Sequence, residues 1–524
     1  MDGHLILIGG VAIVVAAICR SRDIPAPLPL IGTGLILDLI APTTAQTLIN
    51  PEVVLTLILA PVVFAAGLGS SAVDLRQIRR GVLLLAVGLV VITTLAIGVV
   101  TTAIVAAMPL AVAFALGAVL GPTDAVAAGS VAKRGGLPRG VTLLIEGESL
   151  ANDATALTIL RVAIVAAVAG SVTFVESSEI LFAAVVFGVL VGTGGGLVIS
   201  WFVRITPEPV VANAILFLTP FGLFELAEFL EGSGLLALVI AGVWISHATG
   251  FTAGYRTRLQ AVSVWSLITF LLESVAFVLV GVELIATSQG PDSPGPVRIA
   301  ILAVILTVTI IGIRGLFMAG WFALGPRFAP SAFTERRSTA KQFLALSLLG
   351  VRGPISVLAV FSIPLTLASG DPFPERNLIM SVTFGVVVLS LLSSLAAGPL
   401  IARLNLNSET EAQQLRNAQV AVAKAALRRL DELIVQADDD GRPLPEGVVA
   451  RLRSVASRRL DQVSRDEQKA AAAADKTKIV RDLQRSMLHA ERRELERLRS
   501  QHRAPGDVVR QLSNELDVRE AALA

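Results

Sequence analysis

The chain has 524 residues, of which 54% are hydrophobic and 16% are charged, against roughly 45–50% and 25% in ordinary soluble domains. Of its 43 Lys/Arg and 41 Asp/Glu, 22 and 20 lie within residues 404–524. This composition excludes a soluble globular enzyme. An ionised group at the centre of a bilayer costs several kcal/mol, so the charge-poor region is expected to lie in a membrane and the charge-rich region outside it. The charge distribution predicts a transmembrane domain over residues 1–403 and a charged, helical, cytoplasmic tail over residues 404–524. A break at 438–446 divides the predicted tail into two helical stretches, the second of which runs to about residue 503.

Apolar stretches of about 20 residues, the length that crosses a bilayer, predict an all-α polytopic membrane protein. Breaking the sequence at charged residues and Pro/Gly clusters gives about 13 spans. Their approximate limits are 4–19, 27–45, 52–71, 82–107, 109–132, 140–169, 178–203, 209–230, 233–247, 262–288, 298–325, 341–368 and 377–402.

Basic residues alternate between the loops, which sets the orientation because Lys and Arg stay on the cytoplasmic side. The loops after the odd-numbered spans one to eleven hold 15 Lys/Arg, whereas the other six loops hold only Arg298 and Arg376. We therefore expect the N-terminus outside and the tail in the cytoplasm.

Two spans carry helix-breaking residues around a charge. Span five contains Gly-Pro-Thr-Asp at 121–124, and span twelve contains Gly-Val-Arg-Gly-Pro at 350–354. Proline within a helix removes a backbone donor and clashes with the preceding turn. With span seven as a connector, each broken span is the fifth of its half, so the pattern predicts two inverted repeats whose discontinuous helices cross near the midplane, as in transporters. Asp124 would compensate the positive helix ends there, and Arg352 the negative ones.

Span six carries a polar stripe beside this predicted crossing. Ser149 and Asp153 lie one helical turn apart on one face, and Glu148 and Asn152 form a parallel stripe. Carboxylate, hydroxyl and amide oxygens suit a hard monovalent cation, and Thr123 stands opposite in the broken span. The sequence therefore predicts a monovalent-cation site at Asp153, Ser149 and Thr123, with Asn152, Asp124 and Glu148 around it.

These motifs, with FVLVGVEL at 277–284, resemble those of the cation:proton antiporter family that includes NhaP-type antiporters and eukaryotic sodium/proton exchangers. The resemblance covers about residues 5–402. It implies that the cation at this site is Na⁺, that Asp153 binds this ion or a proton, that Glu148 pairs with Arg314, and that Arg352 lies in the second broken helix. It also implies a homodimer, with spans 1–3 and 8–10 as scaffold and spans 4–6 and 11–13 as moving core.

One position departs from the family pattern. Span three commonly carries Glu in a Phe-Glu-Ala setting, where this chain has Phe64-Ala65-Ala66. The partner of Arg352 is therefore open. Three further acidic residues, Glu225, Glu228 and Glu273, are candidates for funnel or interface charges.

The site predicts secondary antiport rather than enzymatic chemistry. Na⁺ and H⁺ would compete for Asp153, and with Asn152 in place of a second acid the resemblance implies electroneutral one-for-one exchange. Potassium or lithium exchange at the same site stays open, as does, less favoured, sodium-coupled symport of a small organic anion. No nucleotide fingerprint is present, so we expect no cofactor and no nucleic-acid partner. Basic runs in the tail could contact anionic lipid.

Overall fold

Helices fill the apolar stretches in the computed structural model. It describes residues 3–22, 24–40, 55–134, 137–169, 174–249, 254–288, 295–324, 336–367, 369–404, 406, 409–439 and 445–464, and scattered positions between 487 and 497. The chain divides into two compact units, Met1–Asn407 and Ser408–Ala524. In the described residues the secondary structure is helical apart from one isolated bridge between Thr366 and Pro372.

The first unit begins with helices that are short or interrupted. They are α1 (Gly3–Ser21), α2 (Pro27–Ile40), α3 (Ala60–Gly69, after a π-helical segment Leu55–Leu59), α4 (Ala72–Leu83), α5 (Val90–Ile104, joined to α4 by a π-helical segment Leu84–Leu89), α6 (Leu110–Leu120) and α7 (Ala125–Arg134).

Longer helices follow. They are α8 (Arg139–Ala169), α9 (Phe174–Ile205), α10 (Pro209–Phe229), α11 (Gly234–Thr249), α12 (Tyr255–Ser288), α13 (Pro296–Leu324), α14 (Arg336–Leu348), α15 (Pro354–Phe361) and α16 (Arg376–Ala402). Among the described residues, seven helical segments have the length and composition to cross a membrane. They are Ile78–Ile104, Gly140–Val168, Ser178–Ile205, Pro209–Phe229, Arg256–Val282, Pro296–Ala323 and Arg376–Ala402.

The predicted breaks in the two charged spans are confirmed. Helix α6 ends at Leu120 and α7 begins at Ala125, while α14 ends at Leu348 and α15 begins at Pro354. At the second break Gly353 is extended, as expected of a residue that precedes proline. At the first break Gly121 keeps helical dihedral angles, and Pro122 ends the helix because it has no N–H to continue the hydrogen-bond ladder. The all-helical membrane fold is therefore confirmed, whereas the exact number of spans and the inverted repeats stay predictions.

Glycine pairs bring several helices into close contact. A Cβ on Gly34 of α2 would lie 2.1 Å from the Val278 carbonyl oxygen of α12, and one on Gly281 of α12 would lie 2.0 Å from the Ile31 oxygen. Small residues allow such backbone approach where lipid supplies no hydrophobic drive between helices. Large apolar side chains remain exposed on the outer faces, including Phe182 and Leu316, as expected of surfaces that face lipid.

The second unit contains α17 (Glu409–Asp439) and α18 (Glu446–Ser464). The two helices pack against each other and are linked by an ion pair between Arg453 and Asp431. The gap between them falls within the predicted break at 438–446. The predicted continuation of helix to about residue 503 lies largely outside the described residues.

Candidate functional site

The two breaks touch each other inside the bundle. The Asp124 backbone N–H donates a hydrogen bond to the Val351 carbonyl oxygen at 2.8 Å. A Cβ on Gly353 would lie 2.3 Å from both Cγ and Oδ2 of Asp124. Only glycine at position 353 therefore leaves room for that side chain, and the backbone of the second break lies against the first.

Asp124 lies where two helices begin. Its Oδ2 accepts a hydrogen bond from the Ala127 N–H at 3.2 Å, in the first turn of α7. Its side chain also adjoins Gly353, the residue that precedes the first residue of α15. Helix N-termini carry positive partial charge, so the position of Asp124 suits the predicted charge compensation.

Arg352 lies where two helices end. Its Nε donates to the Leu120 carbonyl oxygen at 3.0 Å and its Nη2 to the Gly121 oxygen at 3.3 Å, while Nη1 donates to the Gly350 oxygen. These carbonyls lie at the C-terminal ends of α6 and α14, which carry negative partial charge. The hydrogen-bond acceptors of Arg352 are therefore backbone carbonyl oxygens at helix ends. Residue 65, where the family commonly has glutamate, is alanine and offers no carboxylate.

Glu148 and Arg314 form a buried ion pair between α8 and α13. Arg314 Nη1 lies 2.5 Å from Glu148 Oε1 and Nη2 lies 2.8 Å from Oε2, and both side chains are only 2% exposed. The third donor, Arg314 Nε, bonds the Leu346 carbonyl oxygen at 2.8 Å. A bidentate arginine–carboxylate pair of this kind neutralises both charges and fixes their geometry.

Thr123 links the first break to the polar stripe of α8. Its hydroxyl donates to Glu148 Oε1 at 3.2 Å and accepts from Asn152 Nδ2 at 2.9 Å. Its carbonyl oxygen accepts from the Ser149 hydroxyl at 2.8 Å. The structure therefore brings Thr123, Glu148, Ser149 and Asn152 together, as the spacing of the motifs predicts.

Two side-chain oxygens on the polar stripe of α8 lack a hydrogen-bond donor among the described residues. Asp153 Oδ1 and Asn152 Oδ1 are buried and accept no hydrogen bond from the described residues, in side chains that are 4% and 1% exposed. Asp153 and Asp124 also repel each other electrostatically. A buried carboxylate without a partner is unfavourable, so this position favours a bound proton or cation.

Cavities approach this position from both ends of α8. One of about 580 Å³ is lined by Leu157 and Thr158, one turn beyond Asp153, and by Arg161, Glu225 and Glu228. At its edge Arg161 Nη1 lies 3.3 Å from Glu228 Oε2. Two predicted funnel residues therefore line this cavity.

The second cavity, of about 320 Å³, reaches Glu146 and Gly147 on the other side of Asp153. Glu273, the remaining funnel candidate, is half-buried on α12. Sequence reasoning missed Ser390, whose hydroxyl oxygen accepts from the Arg352 N–H at 2.6 Å. No motif marks that serine.

Residues 7–403 match the profile of the family described as "Sodium/hydrogen exchanger, transmembrane". The chain is 32% identical to the "Sodium, potassium, lithium and rubidium/H(+) antiporter" of Bacillus pumilus, in a match covering 77% of this chain and 62% of the relative. It therefore spans about three fifths of that relative's length. It is 29% identical to the "Uncharacterized Na(+)/H(+) exchanger YjcE" of Escherichia coli, over 97% of this chain and 96% of the relative.

A solved structure shares the fold. The sodium proton antiporter MjNhaP1 from Methanocaldococcus jannaschii matches with a TM-score of 0.61 and 18% identity, over 78% of this chain and 98% of that one. The apolar helices and the family match together describe a multi-pass membrane protein. The chain belongs to the sodium/hydrogen exchanger family, whose members are cation/proton antiporters of the NhaP type and not enzymes.

Proposed function

We propose that this chain exchanges one monovalent cation, Na⁺ in the first instance, for one H⁺, with both ions competing for Asp153. The main observation in support of the proposal is that, of the charged residues at the crossing of the two helix breaks, three are compensated by protein groups and Asp153, within the described residues, is not. Glu148 is paired with Arg314, Arg352 bonds helix-end carbonyls, and Asp124 lies at helix N-termini. Asp153 Oδ1 accepts from none of the described residues.

One uncompensated carboxylate supports electroneutral exchange. Asn152 occupies the position beside Asp153 and does not titrate, so the pair carries a single exchangeable charge. Asp153 would be neutral with either ion bound and charged when empty. A bare carboxylate is costly in a low-dielectric environment, so the empty site would move between the two faces far more slowly than the loaded one.

The oxygen atoms proposed around Asp153 suit a cation that has lost part of its hydration shell. We propose Asp153, Ser149, Thr123 and the unpartnered Asn152 Oδ1 as its ligands, since hard cations prefer oxygen. The cavities at both ends of α8 support alternating access from the two sides of the membrane. We assign the moving core to spans 4–6 and 11–13 and the scaffold to spans 1–3 and 8–10.

We further propose the cell membrane as the location, with the N-terminus outside and the tail over residues 404–524 in the cytoplasm. The alternation of loop Lys/Arg supports this orientation. We propose a homodimer as the assembly and anionic lipid as a partner of the tail. Arg451 and Arg458, both exposed on α18, support the lipid contact.

Exchange of K⁺ or Li⁺ is the second candidate function. It is favoured by the Bacillus pumilus relative, whose name includes sodium, potassium, lithium and rubidium. The same oxygen ligands serve these ions, because none of them requires nitrogen or sulfur. Sodium-coupled symport of an organic anion is less favoured, since Arg352 is already engaged by backbone carbonyls.

Proteoliposomes with an imposed pH gradient and a lumenal pH dye test the proposal. NaCl, KCl, LiCl or choline chloride is added in turn, with the membrane voltage clamped at zero or at an imposed value. We expect NaCl or LiCl to collapse the gradient at a rate independent of voltage in wild type, and to have no effect in Asp153→Asn. Collapse by KCl would select the second candidate, and full activity of the variant would contradict Asp153 as the site.

A further inference from the structure

Glu146 lies in the second cavity with oxygen-rich surroundings. This cavity of about 320 Å³ is lined by the end of α3 and the start of α8. Its lining consists of Gly69, Ser70, Ser71, Leu75, Thr142, Leu143, Glu146 and Gly147. Three of these residues carry hydroxyls, and the C-terminal end of α3 contributes the negative partial charge of a helix end. Such a lining attracts cations.

Helix geometry connects this carboxylate to the transport site. Glu146 and Asp153 are seven residues apart on the uninterrupted helix α8. Seven residues turn the helix by nearly two full turns, so the two carboxylates share one face within about 20° and lie about 10 Å apart along the axis. Ser149 lies between them on that face. Leu150 lies as close to this face as Ser149 does, on its other side, so one hydroxyl stands between the two carboxylates.

Beyond Asp153 the same face becomes apolar. Leu157, Leu160 and Ile164 continue the stripe at helical spacing and line the larger cavity. On this side of Asp153 the face of α8 is apolar, and the polar lining of the larger cavity includes Arg161, Glu225 and Glu228. The Glu146 side chain is exposed to the cavity, whereas Glu148 and Ser149 are buried.

Basic residues crowd this end of the bundle. Arg76, Arg79 and Arg80 are exposed on α4, whose residue Leu75 lines the same cavity. Exposed positive charges near a cavity lower the local concentration of a cation, and a carboxylate in the cavity opposes this effect. Neither Glu148 nor Asp124 can serve in this way, because both are buried.

We infer that Glu146 forms an access site for the transported monovalent cation, which binds there still hydrated before it reaches Asp153. The inference rests on the proposed function and adds a second carboxylate that sets the apparent cation affinity on one side of the membrane. Glu146 does not hold the cation during the crossing. Removing the Glu146 charge should therefore change how the exchange rate depends on Na⁺ concentration and should leave the maximal rate unchanged.

The test compares Glu146→Gln and Glu146→Asp with Glu208→Gln. Glu208 is exposed at the same predicted end of the bundle, lines none of the cavities described above, and makes no side-chain capping bond to α10. Exchange is measured against Na⁺ concentration in inside-out and right-side-out membrane vesicles from cells lacking their own antiporters. Choline chloride sets the ionic strength.

In the vesicles that expose Glu146, we expect Glu146→Gln to raise the half-saturating Na⁺ concentration about three-fold to ten-fold at low ionic strength. This shift should shrink toward wild type as choline chloride is raised, because salt screens exposed charges. Glu146→Asp, which keeps the charge, should stay close to wild type, as should Glu208→Gln. Vesicles of the opposite orientation should show no shift.

Equal shifts in Glu146→Gln and Glu208→Gln, or a shift that is the same in both orientations or insensitive to salt, would overturn the inference. Asp153→Asn, measured alongside, separates it from the proposed function. Wild-type Na⁺ dependence in Glu146→Gln together with an inactive Asp153→Asn would refute the access site alone. Activity in Asp153→Asn would refute the proposed function.

Discussion

Two carboxylates five residues apart on α8 lie in opposite electrostatic surroundings. Glu148 has both oxygens on the Arg314 guanidinium and a third hydrogen bond from Thr123. Asp153 has a buried oxygen that no described residue bonds, and it is repelled by Asp124. The difference teaches that burial alone does not distinguish the proposed transport carboxylate, Asp153, from Glu148, since both are at most 4% exposed.

The compensated region also includes both helix breaks. Asp124 and Arg352 each bond backbone groups at helix ends, so the irregular backbone of the crossing is satisfied by fixed protein charges. Buried charges that are paired and hydrogen-bonded hold the geometry in place. A carboxylate left out of this pairing can exchange its ligand. The crossing therefore combines compensated charges with Asp153, whose Oδ1 accepts a hydrogen bond from none of the described residues.

Replacing the uncompensated carboxylate should have the largest effect on transport. We expect Asp153→Asn to abolish exchange while keeping the fold, because it removes a charge that no described residue compensates. Wild type should gain about 1.4 kcal/mol of unfolding free energy at Na⁺ ten times its Kd, and the variant none. Thermal unfolding in detergent with NaCl or choline chloride measures this difference. A stabilising effect of Na⁺ in the variant would contradict the proposal that Asp153 is the residue that binds Na⁺.

Breaking the compensated pair should have the largest effect on stability. We expect Arg314→Met to cost about 3–5 kcal/mol, because it leaves Glu148 buried and unpaired. The double variant Arg314→Met/Glu148→Gln should recover much of that loss, since the unpaired charge is removed. Denaturant or thermal unfolding of the two singles and the double gives the coupling energy. Additive losses would show that the pair does not act as a unit.

Removing the arginine of the second break should cost less. Arg352→Gln removes a guanidinium that donates to three carbonyl oxygens at two helix ends. Hydrogen bonds from charged groups contribute about 1.5–3 kcal/mol each, with incomplete additivity. We expect a loss of about 2–4 kcal/mol in unfolding free energy. Arg352→Lys should restore only part of it, because an ammonium cannot span the same carbonyls.

A methyl group at the crossing should have the smallest of these effects on stability. Gly353→Ala places a Cβ against the Asp124 side chain, so overpacking should cost about 1–3 kcal/mol. Exchange should fall as Asp124 is displaced from its hydrogen bond at the start of α7. Gly320→Ala on α13 is the matched control, because nothing lies within 4 Å of its added Cβ. Equal behaviour of the two variants would contradict the close approach of the breaks.

Sequence reasoning located the breaks because proline and glycine act locally. Pro122 and Pro354 each stand beside glycine at a break, whereas Pro220 and Pro399 lie inside continuous helices, so the combination with glycine is the better local signal. The stripe of Ser149, Asn152 and Asp153 followed from helical periodicity in the same way. These features depend on neighbours within one turn, so no knowledge of the tertiary contacts was needed.

Other features depend on contacts between distant segments. The pairing of Glu148 with Arg314 joins residues 166 positions apart and came from the family resemblance. The carbonyl partners of Arg352 could not be found from side-chain patterns, because every residue carries a carbonyl. The close contact of Gly34 with Gly281 was missed for a related reason: many spans carry glycine, and periodicity does not say which ones meet.

The most direct test of the central claim measures proton release on cation binding. Purified protein is titrated with NaCl by calorimetry in buffers of different ionisation enthalpy, for wild type and Asp153→Asn. We expect Na⁺ to displace a proton from Asp153, so that wild type releases up to one proton per bound Na⁺. The variant should neither bind Na⁺ nor release a proton. Na⁺ binding by wild type without proton release at any pH would contradict competition at a single carboxylate.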